Sequence, residues 1–280
     1  MTDAEDAEAK KLLEQWDGGA GDGGDDVDVD DDDEEEGYDD ILEKFRRDVT
    51  ATDMSLDHIL LGCSDLDAAV EEFNKMTGVE PLMVVSLNGC GTKSSRAAFN
   101  DCSFIEIVGP DAKQTDTALK LKLQALPPGK IVPLHYAIRN SESDELRKTT
   151  WKDMGLECDK VTMVARDRGM PWKWDMFLLG GHDEGGIIPF FIHWGDSHHA
   201  AGKLPIMGDL TSVKVSAPSS SPVHKLLSGI SGVSVSEGSN NLEFTFTSPQ
   251  GSHSFSTADP IGITFPDEGG LPVNSKKDED

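Results

Sequence analysis

The sequence predicts an α+β fold assembled from tandem βαβββ modules, with a third, incomplete module after them. Three observations carry this prediction. A segment recurs at a fixed spacing of 77 residues, each recurrence passes from a strand-like run to a helix-like one, and three further strand-like runs follow each helix. "LDHILLGCSDLD" (Leu56–Asp67) returns as "PLHYAIRNSESD" (Pro133–Asp144), so that His58, Ser64 and Asp67 reappear as His135, Ser141 and Asp144. The same step carries Gly78 to Gly155 and then to Gly232. A period this long denotes repeated supersecondary units, whereas solenoids of short repeats have shorter ones.

Each unit opens on an apolar strand that carries the histidine. Ser64 or Ser141 then falls where a helix N-cap belongs, with Asp three residues on, a weak capping box with Asp in place of Glu. In the first unit Leu66, Ala69, Val70, Phe73 and Met76 form one apolar helical face, and Leu146, Thr150, Trp151 and Met154 repeat it less cleanly. Gly78 and Gly155 stand where a helix end needs a left-handed residue. Strands are expected at Leu82–Leu87, Arg96–Phe99 and Cys102–Val108, and again at Lys160–Arg166, Lys173–Leu179 and Ile187–Trp194, divided by Gly, Pro, Asn and Asp turns. The modules span 53–110 and 130–196, with a partial third at 208–256 and a loose tail at 257–280.

Charge separates the rest of the chain from this core. The 280 residues carry a net charge of −27, and residues 1–40 hold 19 acidic residues against two lysines. The stretch Gly18–Gly37 mixes glycine with like charges that repel, so residues 1–52 read as an acidic disordered arm, with short helices at Ala4–Trp16 and Tyr38–Arg47. Such an arm either solvates the domain or engages a basic protein partner. No basic stripe suits a nucleic acid, no apolar run is long enough to cross a bilayer, and the N-terminus lacks a signal peptide. Cys63, Cys90, Cys102 and Cys158 show no paired spacing, so reduced thiols and a cytoplasmic address are expected, with Cys63 and Cys102 acting as small buried hydrophobes.

Paired βαβββ units, together with "LDHILLGCSDLDAAVEEF", "GTKSSRAAFNDCSFIEIVGPD" and "GGIIPFFIHWGDSHHAAGKLP", resemble the glyoxalase-like domain proteins of the vicinal oxygen chelate superfamily. The resemblance implies a cupped mixed sheet, with metal ligands on the first and last strands of each module. Aligning "FIEIVG" with "FIHWGD" on their shared "FI" gives His58, Glu106, His135 and His193 as the ligand set. In each strand the neighbours of the polar residue are apolar, so by alternation all four can face one cup. Three imidazoles and a carboxylate suit zinc, iron, manganese or nickel.

On this reading the metal polarises a small molecule with vicinal oxygens, and Glu106 moves the proton in isomerase or lyase chemistry, or in ring opening if the metal is iron. Arg96 and Arg166 could clamp a substrate carboxylate, and Trp172 and Trp174 could line its cavity. His182, His198 and His199 lie in loops, as proton shuttles or as solvated residues. The alternative is a metal-free cup that binds or sequesters a small apolar or aromatic molecule.

Overall fold

The computed structural model describes residues 54–87, 90–140, 149–167, 170–195, 197 and 199–263. The acidic arm, its two expected helices, the helix of the second module up to residue 148, and residues 264–280 lie outside the described residues.

The first module runs β1 (Leu56–Gly62), α1 (Leu66–Thr77), β2 (Leu82–Leu87), β3 (Thr92–Phe99) and β4 (Phe104–Pro110). The helix begins one residue later than its expected cap. Asp65, with extended backbone, accepts from the amides of Asp67 and Ala68, so a carboxylate takes the role expected of Ser64. Gly78 ends the helix at φ 74, where a Cβ would be strained. Leu66, Ala69, Phe73 and Thr77 form the buried face. Helix α2 (Ala118–Gln124), capped by Thr117, crosses between modules. The second module supplies β5 (Val132–Arg139), β6 (Glu157–Asp167), β7 (Met170–Gly180) and β8 (Phe190–His193).

Among the described residues these strands form one mixed sheet in the order β2-β3-β4-β1-β5-β8-β7-β6, with β9 (Ile206–Gly208) added beside β3. Each module closes the same way: β1 lies parallel to β4, and β5 parallel to β8. The modules meet through the antiparallel pair β1–β5, whose register contains the repeat. Ile59 faces Tyr136, while His58↔Ala137 and Leu60↔His135 are the same pair displaced by the 77-residue period. A pseudo-two-fold axis therefore passes beside Ile59 and Tyr136, and the tandem βαβββ architecture is the observed one.

The third segment supplies β10 (Leu210–Ala217), a short helix α3 (Val223–Leu226), β11 (Val233–Glu237), β12 (Asn241–Ser248) and β13 (Gly251–Ala258). Its elements follow the modular order, but its pairing differs. In this separate sheet, β11-β10-β12-β13, the first strand lies parallel to the second, not to the last. The small sheet and α1 cover the back of the large one: Ile59, Leu61, Ile107, Tyr136 and Phe191 join Phe73, Val215, Phe244 and Phe246 in one core. Phe246 stacks on Phe73 at 6.2 Å and meets Phe99 at 5.6 Å, tying the three layers together.

The chain after β13 does not hang loose at once. Gly186 donates to Pro260, Gly262 to Leu134, and the Ile263 amide to Nδ1 of His135. That approach requires glycine at 186, since a Cβ there would lie 1.9 Å from the Leu134 carbonyl. With the back of the sheet covered, the front is concave and carries a second apolar cluster that includes Leu60, Val108, Met163, Trp174, Phe190 and Ile192.

Candidate functional site

The front face is a cup of about 880 Å³, open solvent at its mouth included. Its halves differ in chemistry. The first module contributes His58, Thr92, Ser94, Arg96 and Glu106 beside the apolar Leu60, Phe104 and Val108, whereas the second contributes only apolar and aromatic groups, Met163, Trp174, Met176, Phe190, Ile192 and Trp194. Polar groups thus converge at one end and apolar or aromatic groups form the facing wall, the usual composition of a small-molecule site.

Glu106 sits on β4 opposite Leu60 and directly across the β3–β4 hairpin from Arg96. That antiparallel register places the Arg96 Nη2 donor 2.7 Å from the Glu106 carboxylate, with both side chains buried. Burial pushes the Glu106 carboxyl up, but the Arg96 charge, the His58 ring and the Ser94 hydroxyl outweigh it and hold the group below its ordinary value. Arg96 also lies over the Phe104 ring at 5.7 Å. One guanidinium nitrogen is therefore engaged by Glu106, while the buried Nε has no hydrogen-bond partner among the described residues.

His58 is fixed from two sides. Its ring stacks on Phe104 at 4.5 Å and 15°, and meets the edge of Phe190 at 5.4 Å. Nδ1 lies 2.6 Å from Asp57 Oδ1, and Nε2 lies 3.9 Å from Glu106 Oε2. Asp57 was not among the expected site residues, because as His58's neighbour it should face the opposite side. A β-bulge between Leu56 and His58 removes that alternation and brings both side chains together.

Asp57 is completely buried and heavily partnered. Its Oδ2 accepts from Arg139 Nε at 3.0 Å, Trp194 Nε1 at 3.0 Å and His199 Nε2 at 2.8 Å. Burial pushes this carboxyl up, yet hydrogen bonds from His199 and His58 hold it well below the usual carboxylate range. His199, expected in a loop, is buried and caps a 3₁₀ turn through Nδ1, which accepts from Ala201. The sign that could have revealed this network is the pair "DH" itself: a second polar group, and a charged one, inside an apolar strand.

The other two expected ligands do not join His58 and Glu106. His135 is buried on the cup side behind Phe190, 5.1 Å from its ring, and both its nitrogens are taken by backbone. Nε2 donates to the Ile188 carbonyl at 2.6 Å and Nδ1 accepts from the Ile263 amide at 3.1 Å. Burial pushes the ring down to about 4, which keeps it neutral.

His193 faces away from the cup, because Phe190 and Ile192 line it and β8 alternates. Its Nδ1 bonds the Asn140 carbonyl at 2.7 Å. The register explains the correction. Leu60 pairs with Glu106, and its repeat counterpart Ala137 pairs with Phe190, so Phe190, not His193, stands where Glu106 stands in the first module. Alignment on "FI" was displaced, and an odd shift reverses the face.

Among the described residues no group of three or more His, Cys, Asp or Glu side chains is placed to hold a metal ion. The donor set therefore does not fit the expected four-ligand centre. His58 and Glu106 remain adjacent, but Glu106 already has Arg96 as its cation.

Trp174 lines the cup as expected and packs at 5.7 Å against Trp194, which sequence reasoning missed. The side chains of Arg166 and Trp172, and residue His198, lie outside the described ones. His182 is held in its own turn, donating to Leu179 and accepting from the Glu184 amide. Cys63 is buried as expected; Cys102 is half-buried, at φ 68. Cys90 lines the cup, but burial pushes its thiol up to about 12, so it is no thiolate nucleophile. No helix among the described residues is long and apolar enough to cross a membrane.

Comparison with known proteins finds distant likenesses among solved structures and one family match. Methylmalonyl-CoA epimerase from Mycobacterium tuberculosis is similar at 16% identity and TM-score 0.38, over 52% of this chain and 93% of that one. The Mn(II)-bound glyoxalase from Novosphingobium aromaticivorans is similar at 11% identity and TM-score 0.42, over 77% and 85% of the two chains. Likenesses this distant carry no argument about chemistry. No curated protein matches the chain. The family described as the glyoxalase-like domain, however, matches residues 56–230, more than half of the sequence. The chain belongs to the glyoxalase-like domain family.

Proposed function

We propose that this protein binds a small molecule in the cup without a metal ion. The observation that carries the reading is the ion pair between Arg96 and Glu106. A buried carboxylate needs a cation or a proton, and Arg96 supplies that charge from within the fold. The second module supports the same reading, because it offers Phe190, Ile192 and Trp174 where a metal centre would need donors. Glu106, held below its ordinary value and engaged by Arg96 and Ser94, is poorly suited to act as the general base.

The occupant implied is an apolar, planar body against the Trp174–Trp194 wall, with a small polar group at the His58 end. Calorimetric titration of the full chain with naphthalene-sized aromatic compounds, in excess chelator, tests this. One-to-one binding that weakens about tenfold or more in Trp174→Ala is the expected result. Binding that disappears with chelator and returns on adding zinc or manganese would show the metal-dependent reading to be the better one.

A further inference from the structure

We propose that the ligand of this cup carries a carbonyl-type oxygen, that of a ketone or of a carboxylate, on its aromatic body, and that this oxygen accepts from the Nε–H of Arg96. This rests on the reading of the cup as a small-molecule site and adds the chemistry by which the cup recognises its occupant.

A guanidinium is a planar fork of N–H donors with no acceptor, and it stays charged in folded proteins, so its donors do not depend on the protonation of any neighbour. Arg96 is 6% exposed, and Glu106 accepts from its Nη2 at 2.7 Å. Its Nε is buried as well, yet has no hydrogen-bond partner among the described residues. Native proteins seldom leave a buried donor unpaired, because the lost hydration is not repaid until an acceptor arrives.

The fold shows from which side that acceptor comes. Thr92, Ser94 and Arg96 alternate along β3 and all line the cup, whereas Ala97, on the other face of the strand, joins the core behind the sheet. The guanidinium is also held before any ligand arrives. The β3–β4 register sets Arg96 opposite Glu106, and its Cζ lies 5.7 Å from the centre of the Phe104 ring. The Ser94 hydroxyl is already spent on Glu106. What remains to meet Nε is the molecule in the cup.

A charged N–H donor pairs most strongly with a carbonyl or carboxylate oxygen. Beyond that oxygen the ligand meets Trp174, Met163 and Ile192, which offer apolar contact and suit a flat apolar body. Ketone and carboxylate share the required oxygen and differ in charge: the guanidinium attracts the anion and the neighbouring Glu106 repels it.

The test uses the full chain at pH 7.5 in chelator, titrated calorimetrically with 2-acetonaphthone, 2-naphthoate and 2-isopropenylnaphthalene, in which a methylene replaces the ketone oxygen. The ketone or the carboxylate is expected to bind at least about tenfold more tightly than the hydrocarbon, since only they pair the buried donor, and the tighter of the two identifies the class. The double variant Arg96→Met with Glu106→Leu removes the donor without leaving an unmatched charge, and should erase that preference.

A second measurement needs no variant. In wild-type protein labelled with 15N-arginine, the Nε–H proton resonance of Arg96 should move downfield with the oxygen ligand and not with the hydrocarbon, whose aromatic ring is the same. Hydrocarbon binding as tight as that of both oxygen ligands, a preference that survives in the double variant, or an Nε–H resonance that responds alike to all three overturns the inference while leaving the cup as a binding site. If none of the three compounds binds, the reading of the cup itself fails.

Discussion

Replacing Arg96 by Ala removes the cation that neutralises Glu106. The two side chains are 6% and 7% exposed and 2.7 Å apart, so the carboxylate left behind has neither free access to water nor its counter-ion. Breaking a buried pair by removing one partner costs about 3–5 kcal/mol. The Ser94 hydroxyl remains on the carboxylate and the His58 ring lies 3.9 Å away, so the lower end, about 3 kcal/mol, is expected. In a domain of this size that lowers Tm by about 6–12 °C. Urea unfolding at pH 7.5, followed by tryptophan fluorescence, measures it directly. A double variant, Arg96→Met with Glu106→Leu, should recover most of the loss, since a buried ion pair exchanged for apolar groups is close to neutral. If Arg96→Ala alone costs under about 1 kcal/mol, some other cation compensates Glu106, and the assignment of Arg96 as its counter-ion is wrong.

Three further outcomes follow from the same geometry. Acid should destabilise the fold in two stages. His135 stays neutral down to about 4 when folded but takes a proton near 6.5 when unfolded, so about 3 kcal/mol is lost between those values; below them the loss of charge on Asp57 takes over, and equal urea midpoints at pH 7.5 and 4.5 would contradict this. Gly186→Ala should prevent stable folding, because its Cβ would meet the Leu134 carbonyl at 1.9 Å, whereas Gly129→Ala, with open space around it but φ 69, should cost only about 1 kcal/mol by the same unfolding assay. His193→Ala should leave the affinity of the cup for any ligand unchanged within twofold by calorimetry, since its ring lies on the other face of the sheet; a tenfold loss would return His193 to the site.

The repeat was legible because symmetry leaves a trace in spacing. The 77-residue step that joins His58 to His135 is the step that relates the pairs His58↔Ala137 and Leu60↔His135 in the sheet. Arg96 and Glu106 both stand out in the sequence, but as separate roles and not as a pair, although the signal for pairing was present. Arg96 and Glu106 are equidistant from Asp101 at the turn of the β3–β4 hairpin, and antiparallel pairing sets such residues opposite each other. Asp57 could not be placed from alternation, since a bulge leaves no mark in composition. His193 was misplaced because "FFIHW" offers no anchor that distinguishes one register from the next, and an odd shift turns a lining residue outward. The third segment kept the order of elements while its strands paired otherwise, and order alone does not determine which strand neighbours which.

The central claim is that Arg96, and not a metal, neutralises the polar end of the cup, and metal titration tests it most directly. Full-length protein freed of metal by dialysis against chelator should take up well under one equivalent of zinc, manganese, iron or nickel at micromolar concentration, and its Tm should be unchanged by the ions. Stoichiometric uptake of one ion that raises Tm, and that is lost in both His58→Ala and Glu106→Ala, would contradict the account.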